Sequence, residues 1–571
     1  MSDTYSETNT LITNTDATIG RTRYKQISTG TSSSPTFGIT ALYNHRFSTK
    51  GRNLSLFLSA NSSTSTSNSL SDLTLFEGTL PNPDAPRKQQ IDQDNKSTSL
   101  SGNISYMEPL SKVSFIDLNY TLTRSTTSND RRVVGLDSGT PLLDANLSNN
   151  YSFNFTTHRF ALNYRLIEIK YNLTLGVGVQ PSVLEGQSSR SAAANFPATR
   201  KTQTNIVPTA RFIYQFSRNE SLTANYNGSA SQPSFDQLQP VLDNSNQFSK
   251  VQGNPDLKQQ FNNNLSLRYN RFGVSSGNLF FVNLNYSNTQ GAVVTRTTYD
   301  GNSTLTRYVN ADGNYSYGGN ITYSKPWAER KYTVTFNART NYSNTVGFVD
   351  EIINNVQTAT QKNIAKNLSF TPGTRFRLDL TDIIDAQLSA NYSINKTTNS
   401  VSLRNVNQNV NTRNLDLGFQ GKNYFGDWTF SYDITKQYNY GYNTTSGFSV
   451  PNPNIISAYV ERRFLQGNKA TIRLAAFDLL NQNTGVTTSG NTLSQVNRLG
   501  RYVMLSFTLR LQKFAGRSAT QESDRDRRGG RDGFGGGPGG RGPGGPGAGG
   551  PGGGNFGGGP GAGGPGGPGG F

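Results

Sequence analysis

From about Pro35 to Phe514 the chain repeats one pattern: apolar and polar residues alternate over a run, and a polar turn follows. Residues 160–179 show it well. Phe160, Leu162, Tyr164 and Leu166 share one parity; past a short turn near Glu168, so do Ile169, Tyr171, Leu173, Leu175, Val177 and Val179. Asn163, Arg165, Asn172 and Thr174 take the other parity. Successive side chains of a strand point to opposite faces, so this spacing predicts half-buried strands joined by a tight hairpin. The same alternation marks Phe212/Tyr214/Phe216, Leu222/Ala224/Tyr226, Leu265/Leu267/Tyr269, Phe280/Val282/Leu284/Tyr286, Tyr332/Val334/Phe336/Ala338, Leu415/Leu417/Phe419 and Ile472/Leu474/Ala476. No helical periodicity lasts beyond a turn or two. About 20 segments of about 9–12 residues repeat the pattern, the length of a tilted strand that crosses a bilayer.

Composition narrows the fold further. Only 33% of the 571 residues are hydrophobic and the mean hydropathy is −0.58, values close to those of a disordered chain. Yet there are 27 Tyr and 32 Phe, and disordered chains are poor in aromatics. Sparse, regularly spaced apolar residues suit a wall with lipid on one side and water on the other. Turns alternate in length: short links such as Arg218-Asn219-Glu220 alternate with polar stretches at 62–95, 125–150, 181–202 and 232–260, expected as loops. This asymmetry, and a strand number too large for one sandwich, predict an all-β chain: an antiparallel transmembrane β-barrel of about 20–22 strands in the outer membrane.

Several features refine that expectation. Tyr106, Tyr120, Tyr226, Tyr269, Tyr286, Tyr323, Tyr392 and Tyr432 lie near ends of apolar strand faces, as an interfacial girdle requires. Ordinary β-propensity of aromatics is the competing explanation. No run approaches the roughly 18 apolar residues of a membrane helix. Met1 to Gly20 is polar and lacks the basic and apolar regions of a signal peptide, which leads us to expect a piece of a longer exported precursor. The absence of cysteine excludes disulfides and thiolate chemistry. The expected organisation is an N-terminal segment over 1–34 compatible with first strands, a barrel over 35–514, and a tail over 515–571, charged and then Gly/Pro-rich. Such a tail cannot bury apolar area and is expected to be disordered.

Three stretches carry a resemblance. The last strand, RLGRYVMLSFTLRLQKF, places Val503, Leu505, Phe507, Leu509 and Leu511 on one face after Gly500 and ends at Phe514. It resembles the C-terminal strand by which outer-membrane barrels are recognised for assembly, although Phe514 is out of phase and a tail follows. FDLLNQNTG (Phe477 to Gly485) resembles a hairpin turn of TonB-dependent receptors. Pro233-Ser234-Phe235-Asp236-Gln237-Leu238 and Gly253-Asn254-Pro255-Asp256-Leu257-Lys258 resemble two further segments of that superfamily. The chain is thus similar, over most of 35–514, to the outer-membrane β-barrel family related to TonB-dependent receptors. The resemblance implies up to 22 strands and uptake of a bulky nutrient. Its implied partners are outer-membrane lipid and lipopolysaccharide, the barrel-assembly machinery, and the TonB system through a plug domain. Neither plug nor TonB-box sequence is recognisable in the chain.

Chemistry-bearing clusters are sparse. His45 and His158 are far apart and lack the partners of a zinc site or a Ser-His-Asp triad. Asp92-Gln93-Asp94-Asn95 lacks the Gly and terminal Glu of a calcium loop and reads as a solvated loop. The tail has no phosphate-binding P-loop motif. No catalytic, metal or cofactor residue stands out, so an enzyme is not expected. The net charge of +18 offers a basic lumen or loop surface for anions, or else simply decorates the watery face. Arg527-Arg528-Gly529-Gly530-Arg531 with Phe534 resembles an RNA-binding segment, but nucleic-acid binding leaves the amphipathic strands unexplained. A structural or adhesive barrel without transport is the closer alternative.

Overall fold

The computed structural model describes residues 2–509 except 14–20, 78–79, 82–86, 138–139, 146–147, 191–193, 239–241, 244–248, 301–302, 354–355, 382, 402–408, 442–450, 466–468, 484–485, 490–491 and 496–499. The tail expected over 515–571 lies outside the described residues.

The chain opens with β1 (Ser2–Thr13), β2 (Arg21–Ser33), β3 (Thr36–Arg46), β4 (Asn53–Glu77), β5 (Leu80–Pro81) and β6 (Arg87–Pro109). Next come β7 (Ser114–Gly135), β8 (Leu142–Leu143), β9 (Asn149–Ile167), β10 (Tyr171–Arg190), β11 (Ala194–Ser217) and β12 (Glu220–Ser231). One helical turn, α1 (Phe235–Leu238), precedes β13 (Leu242–Asp243), β14 (Ser249–Gln252), β15 (Gln260–Phe272), β16 (Leu279–Gln290), β17 (Ala292–Asp300) and β18 (Ser303–Ala311). β19 (Asn314–Trp327), β20 (Tyr332–Ile353), β21 (Val356–Leu380), β22 (Ile384–Asn399) and β23 (Val410–Phe425) continue the series. The last are β24 (Trp428–Tyr440), β25 (Asn454–Phe464), β26 (Ala470–Phe477), the small hairpin β27 (Val486–Ser489) and β28 (Thr492–Gln495), and β29 (Tyr502–Leu509).

All but β27 and β28 belong to one 27-stranded sheet. Six of its members (β5, β8, β13, β14, β17 and β18) are loop strands. β2 and β3 are collinear: Ser33 faces Thr66 and Thr36 faces Ser63 in one register along β4. Among the described residues the wall therefore has twenty strand positions, each antiparallel to its neighbours, from β1 to β29. A twisted sheet of that many strands curls, and this one is the wall of an antiparallel β-barrel. Among the described residues, no residue pairing joins β29 to β1 or to β3.

The alternation selects faces as expected. Across β9 and β10, Tyr164 faces Leu175, Leu162 faces Val177 and Phe160 faces Val179, all on one side and all exposed. The band of exposed apolar side chains continues through Leu265, Leu284, Ile321, Phe336, Leu388 and Leu474 to Val503 and Leu505. In water so wide a band would be intolerable; against lipid it is the required surface. Near the short turns, aromatic rings join into a chain along it: Tyr214–Phe216 at 4.7 Å, Phe216–Tyr269 at 6.4 Å, Tyr269–Phe280 at 5.8 Å and Phe280–Tyr323 at 6.3 Å. Tyr106 and Tyr432 also sit near short turns, whereas Tyr120, Tyr226, Tyr286 and Tyr392 lie farther along their strands.

Two expectations are corrected. The strands are longer than about 9–12 residues; β4 and β21 each have 25. Most of 62–95, 125–150 and 181–202 continues strands instead of forming loops, with β4 and β6 paired from Asn53–Met107 up to Leu73–Arg87. The cause is physical. Beyond the lipid both faces of a strand meet water, so both are polar and the period-2 signal vanishes while the backbone ladder persists. Ile169, expected to start β10, lies in the turn at 94% exposure.

Parity predicts opposite responses at adjacent positions. Leu284→Arg, on the outer face, should cost about 2–4 kcal/mol in a bilayer, whereas Asn285→Arg, on the inner face, should stay within about 0.5 kcal/mol. Urea titrations in liposomes check this; equal losses would contradict the face assignment.

Candidate functional site

The inner face opposes the lipid band. One inner row runs from Arg165 through Thr174 to Arg211, Asn225, Ser266, Asn285, Gly318 and Asn341, each facing the next across its ladder. Amides and hydroxyls dominate because this face meets water. Gly318 is required by crowding: a Cβ there would lie 2.9 Å from Thr340 O and 3.1 Å from Asn341 Oδ1.

Toward the short-turn end of β21–β26 the inner face carries paired charges. Arg377 donates to both oxygens of Asp385 at 2.9 Å, a bidentate geometry. Glu461, 3% exposed, accepts from Arg473 Nε at 2.8 Å and Arg463 Nε at 3.2 Å. The Arg473 guanidinium also sits 4.5 Å from the centre of the Tyr459 ring. A buried carboxylate between two cations is compensated; alone it would be costly.

At the opposite end, the loop between β12 and β15 folds onto the inner face of the long β9–β11 extensions. Leu238 and Leu257, from the two motif segments, are each 2% exposed and pack with Leu184 and Tyr308. Phe153 and Phe155 border this cluster. Ser234 and Gln237 cap α1 reciprocally: Ser234 N donates to Gln237 Oε1 at 2.9 Å, and Gln237 N donates to Ser234 Oγ at 3.3 Å. Pro233 is buried beside this cap. Asn254 ties the segments together, its amide N–H donating to Gln237 O at 2.6 Å. Its side chain donates to Tyr308 O at 2.9 Å and accepts from Asp256 N at 2.9 Å.

Lys258 and Asn310 lock the loop to the β17–β18 hairpin: Lys258 N donates to Asn310 Oδ1 at 2.8 Å, and Asn310 Nδ2 donates to Lys258 O at 3.0 Å. Lys201 reaches from β11 to Leu257 O at 3.2 Å and also to Pro255 O. Ser182, 2% exposed, accepts from Gln232 at 3.0 Å and Gln259 at 2.7 Å and donates to Gln203 O at 3.2 Å. Parallel pairing of β14 with β18 and of β17 with β20 ties the loop layer to the wall. The structure thus brings Pro233, Ser234, Leu238, Asn254, Pro255, Leu257 and Lys258 into one latch; Gly253 leads into Asn254, and Phe235 contributes its backbone to α1. Ser182, Tyr308 and Asn310 were not singled out from sequence. The available hint was Leu184, an apolar residue at an inward position.

The final hairpin is built differently. Asp478 closes the turn after β26, accepting from Gln482 N at 3.1 Å and Asn483 N at 2.9 Å. Asn481, with φ of 53°, donates its N–H to Asp478 O at 2.8 Å, and its Oδ1 accepts from Arg501 N at 3.1 Å. A Cβ at Gly500 would lie 2.7 Å from Asn481 Oδ1, which explains a glycine there. Val503, Leu505, Phe507 and Leu509 share the exposed outer face of β29, with Met504, Ser506 and Thr508 opposite. Leu511, Phe514 and Gly485 lie outside the described residues.

His158 Nδ1 lies 2.9 Å from Tyr120 Oη, and His45 meets the edge of Phe47, on separate strands of the wall. Asp92–Asn95, expected as a solvated loop, is instead part of β6, with Asp92 accepting from Asn68 at 2.6 Å. Its polarity on both faces reflects strand beyond lipid.

Together, a lipid-facing apolar band, a polar inner face and long extensions on one side define an outer-membrane β-barrel. The outer membrane protein β-barrel family model matches residues 45–347, just over half of the chain, and the chain belongs to that family. Its place is the cell outer membrane. No curated protein matches in sequence. Similar solved structures include the copper transporter OprC, 10% identical, covering 89% of this chain and 79% of its own, with a TM-score of 0.40. The ferric citrate transporter FecA in its unliganded form is 12% identical, covering 86% and 70%, with a TM-score of 0.40. The RagAB peptide importer in its open-open state is 9% identical, covering 86% and 75%, with a TM-score of 0.37.

Two substitutions probe these elements. Leu257→Ala removes a fully packed side chain and should destabilise the latch locally by about 2–5 kcal/mol. Hydrogen exchange at Leu238 and Val251 should accelerate while heat-modifiable gel migration is unchanged. Asp478→Ala strips two backbone donors of a charged acceptor and should weaken the final hairpin by about 1.5–3 kcal/mol, read as a lower urea midpoint in liposomes.

Proposed function

We propose that this barrel imports a bulky nutrient across the outer membrane as part of a TonB-type receptor, with a plug supplied by sequence other than that described. The observation that carries this reading is the latched loop layer of Pro233–Lys258 and β17–β18, folded onto the inner face at the end with long connections. Capturing a solute at an opening takes such a layer: backbone held by side chains and by a small apolar core, not a loose loop. Below it the amide- and hydroxyl-rich rows give a wetted inner surface suited to a polar solute. The resemblance of the two loop segments and the final hairpin to TonB-dependent receptors supports energised uptake. Among the described residues no group of three or more metal-ligating side chains converges.

Depletion of solutes from growth medium tests it. Wild-type cells should remove at least one large solute that cells lacking the gene leave behind, and a protonophore should abolish that difference. Identical depletion by both strains would favour a structural or adhesive barrel.

A further inference from the structure

The inner face is electrostatically divided. On β21–β26 three of its cations meet carboxylates, while Arg375 and Lys422 share the inward parity: Arg377 pairs with Asp379 and Asp385, and Arg463 and Arg473 pair with Glu461. From β9 to β20 the inward parity carries Arg159, Arg165, Lys201, Arg211, Arg268 and Arg339, and no Asp or Glu among the residues whose side chains are described. Lys201 is taken up by the loop latch. The nearest inward carboxylate beyond this sector, Asp117 on β7, accepts from Ser105 Oγ at 2.9 Å.

The registers place four of these arginines in two adjacent rows. Arg165 and Arg211 both face Thr174, two strands apart, so they are separated by about 10 Å. The neighbouring row runs Thr223, Arg268, Asn283, Asn320 and Arg339, putting Arg268 and Arg339 three strands apart, about 14 Å. The residues between them are short, so the guanidinium groups rise above the wall; Arg211, Arg268 and Arg339 are exposed. Their described contacts are uncharged: Arg268 lies 6.0 Å from the Phe281 ring centre, and Arg165 donates to Met107 Sδ at 3.6 Å.

We propose that this arginine belt is a binding surface for a multivalent anion bearing several carboxylate, sulfate or phosphate groups. The inference rests on the reading of the inner face as a solute path, and it adds the ligand class. Arginine offers a planar fork of donors that matches such oxyanions, and it stays charged at any physiological pH. A one-signed surface on a low-dielectric wall raises the local anion concentration. The belt faces away from the lipid, so its ligand is a dissolved solute, not a lipid headgroup.

Calorimetric titration of the full chain in neutral detergent with inorganic tripolyphosphate at low ionic strength tests this. The wild type should bind, and Arg211→Gln/Arg268→Gln/Arg339→Gln should bind about tenfold more weakly or worse. Arg218→Gln/Arg271→Gln/Lys331→Gln, which removes equal charge near the short-turn rim, should stay within about twofold of the wild type. No binding by the wild type, or equal losses in both triples, would overturn the proposal. Heat-modifiable migration verifies folding; if the first triple misfolds, the three single variants should each show a partial loss. Binding needs no uptake, so a failure of the depletion experiment with an intact belt would reject transport and leave the belt standing.

Discussion

Everything in this molecule depends on a backbone that satisfies its own hydrogen bonds while separating two solvents. In hydrocarbon an unpaired N–H or C=O costs several kcal/mol, so the ladder must be continuous there. Its register shifts respect that limit. The register shifts fall at Gly186/Ser188 and Asp350/Ile352, in the far extensions of β10 and β20, and at Gln215/Ser217, beside a short turn. At all three places water can serve the freed backbone groups. A shift of one residue within the band would also exchange the lipid face for the lumen face of a whole strand. Packing is thus subordinate to register, and the fully buried core is correspondingly small.

The same constraint divides each long strand into two chemical regimes. Where lipid touches the wall, alternation is strict, as in Phe160/Leu162/Tyr164. Where water touches both faces, composition is set by β-propensity and solubility alone, as in the Ser/Thr-rich upper half of β4. That upper region is where inward apolar residues become useful. Phe153, Phe155 and Leu184 face inward at the level of the loop layer and give it something to pack against. The latch around Leu238 and Leu257 is therefore founded on the extensions, and the length of β9–β11 is what places it over the inner face.

Much of this was legible. The dyad pattern gave the fold class, the approximate strand number and the lipid-facing residues, because lipid imposes a signal at every second position. The short turns were readable from the same runs. Strand length was not, since the upper halves of β4, β6, β10 and β11 carry no apolar parity and so read as loops. The two motif segments could be recognised but not joined: the bond from Asn254 to Tyr308 and the reciprocal pair of Lys258 and Asn310 span about fifty residues, and no local pattern encodes such a distance. Paired lumen charges such as Glu461 with Arg473 are invisible for the same reason.

The sequence's excess of positive charge acquires meaning only once register is known. Read along the chain, Arg165, Arg211, Arg268 and Arg339 are four unrelated strand residues among many. Folded, they share an inner face and two adjacent rows, while the described carboxylates of that face lie on the flanking strands. A barrel wall converts distant positions of equal parity and matched register into neighbours. A second feature follows from the same geometry: the residues between the arginines along those rows are short Thr, Asn, Ser and Gly, which keep the wall low there. Chemical selectivity in such a wall can therefore be changed by a few inward substitutions without disturbing the lipid face, because adjacent residues of one strand answer to different solvents.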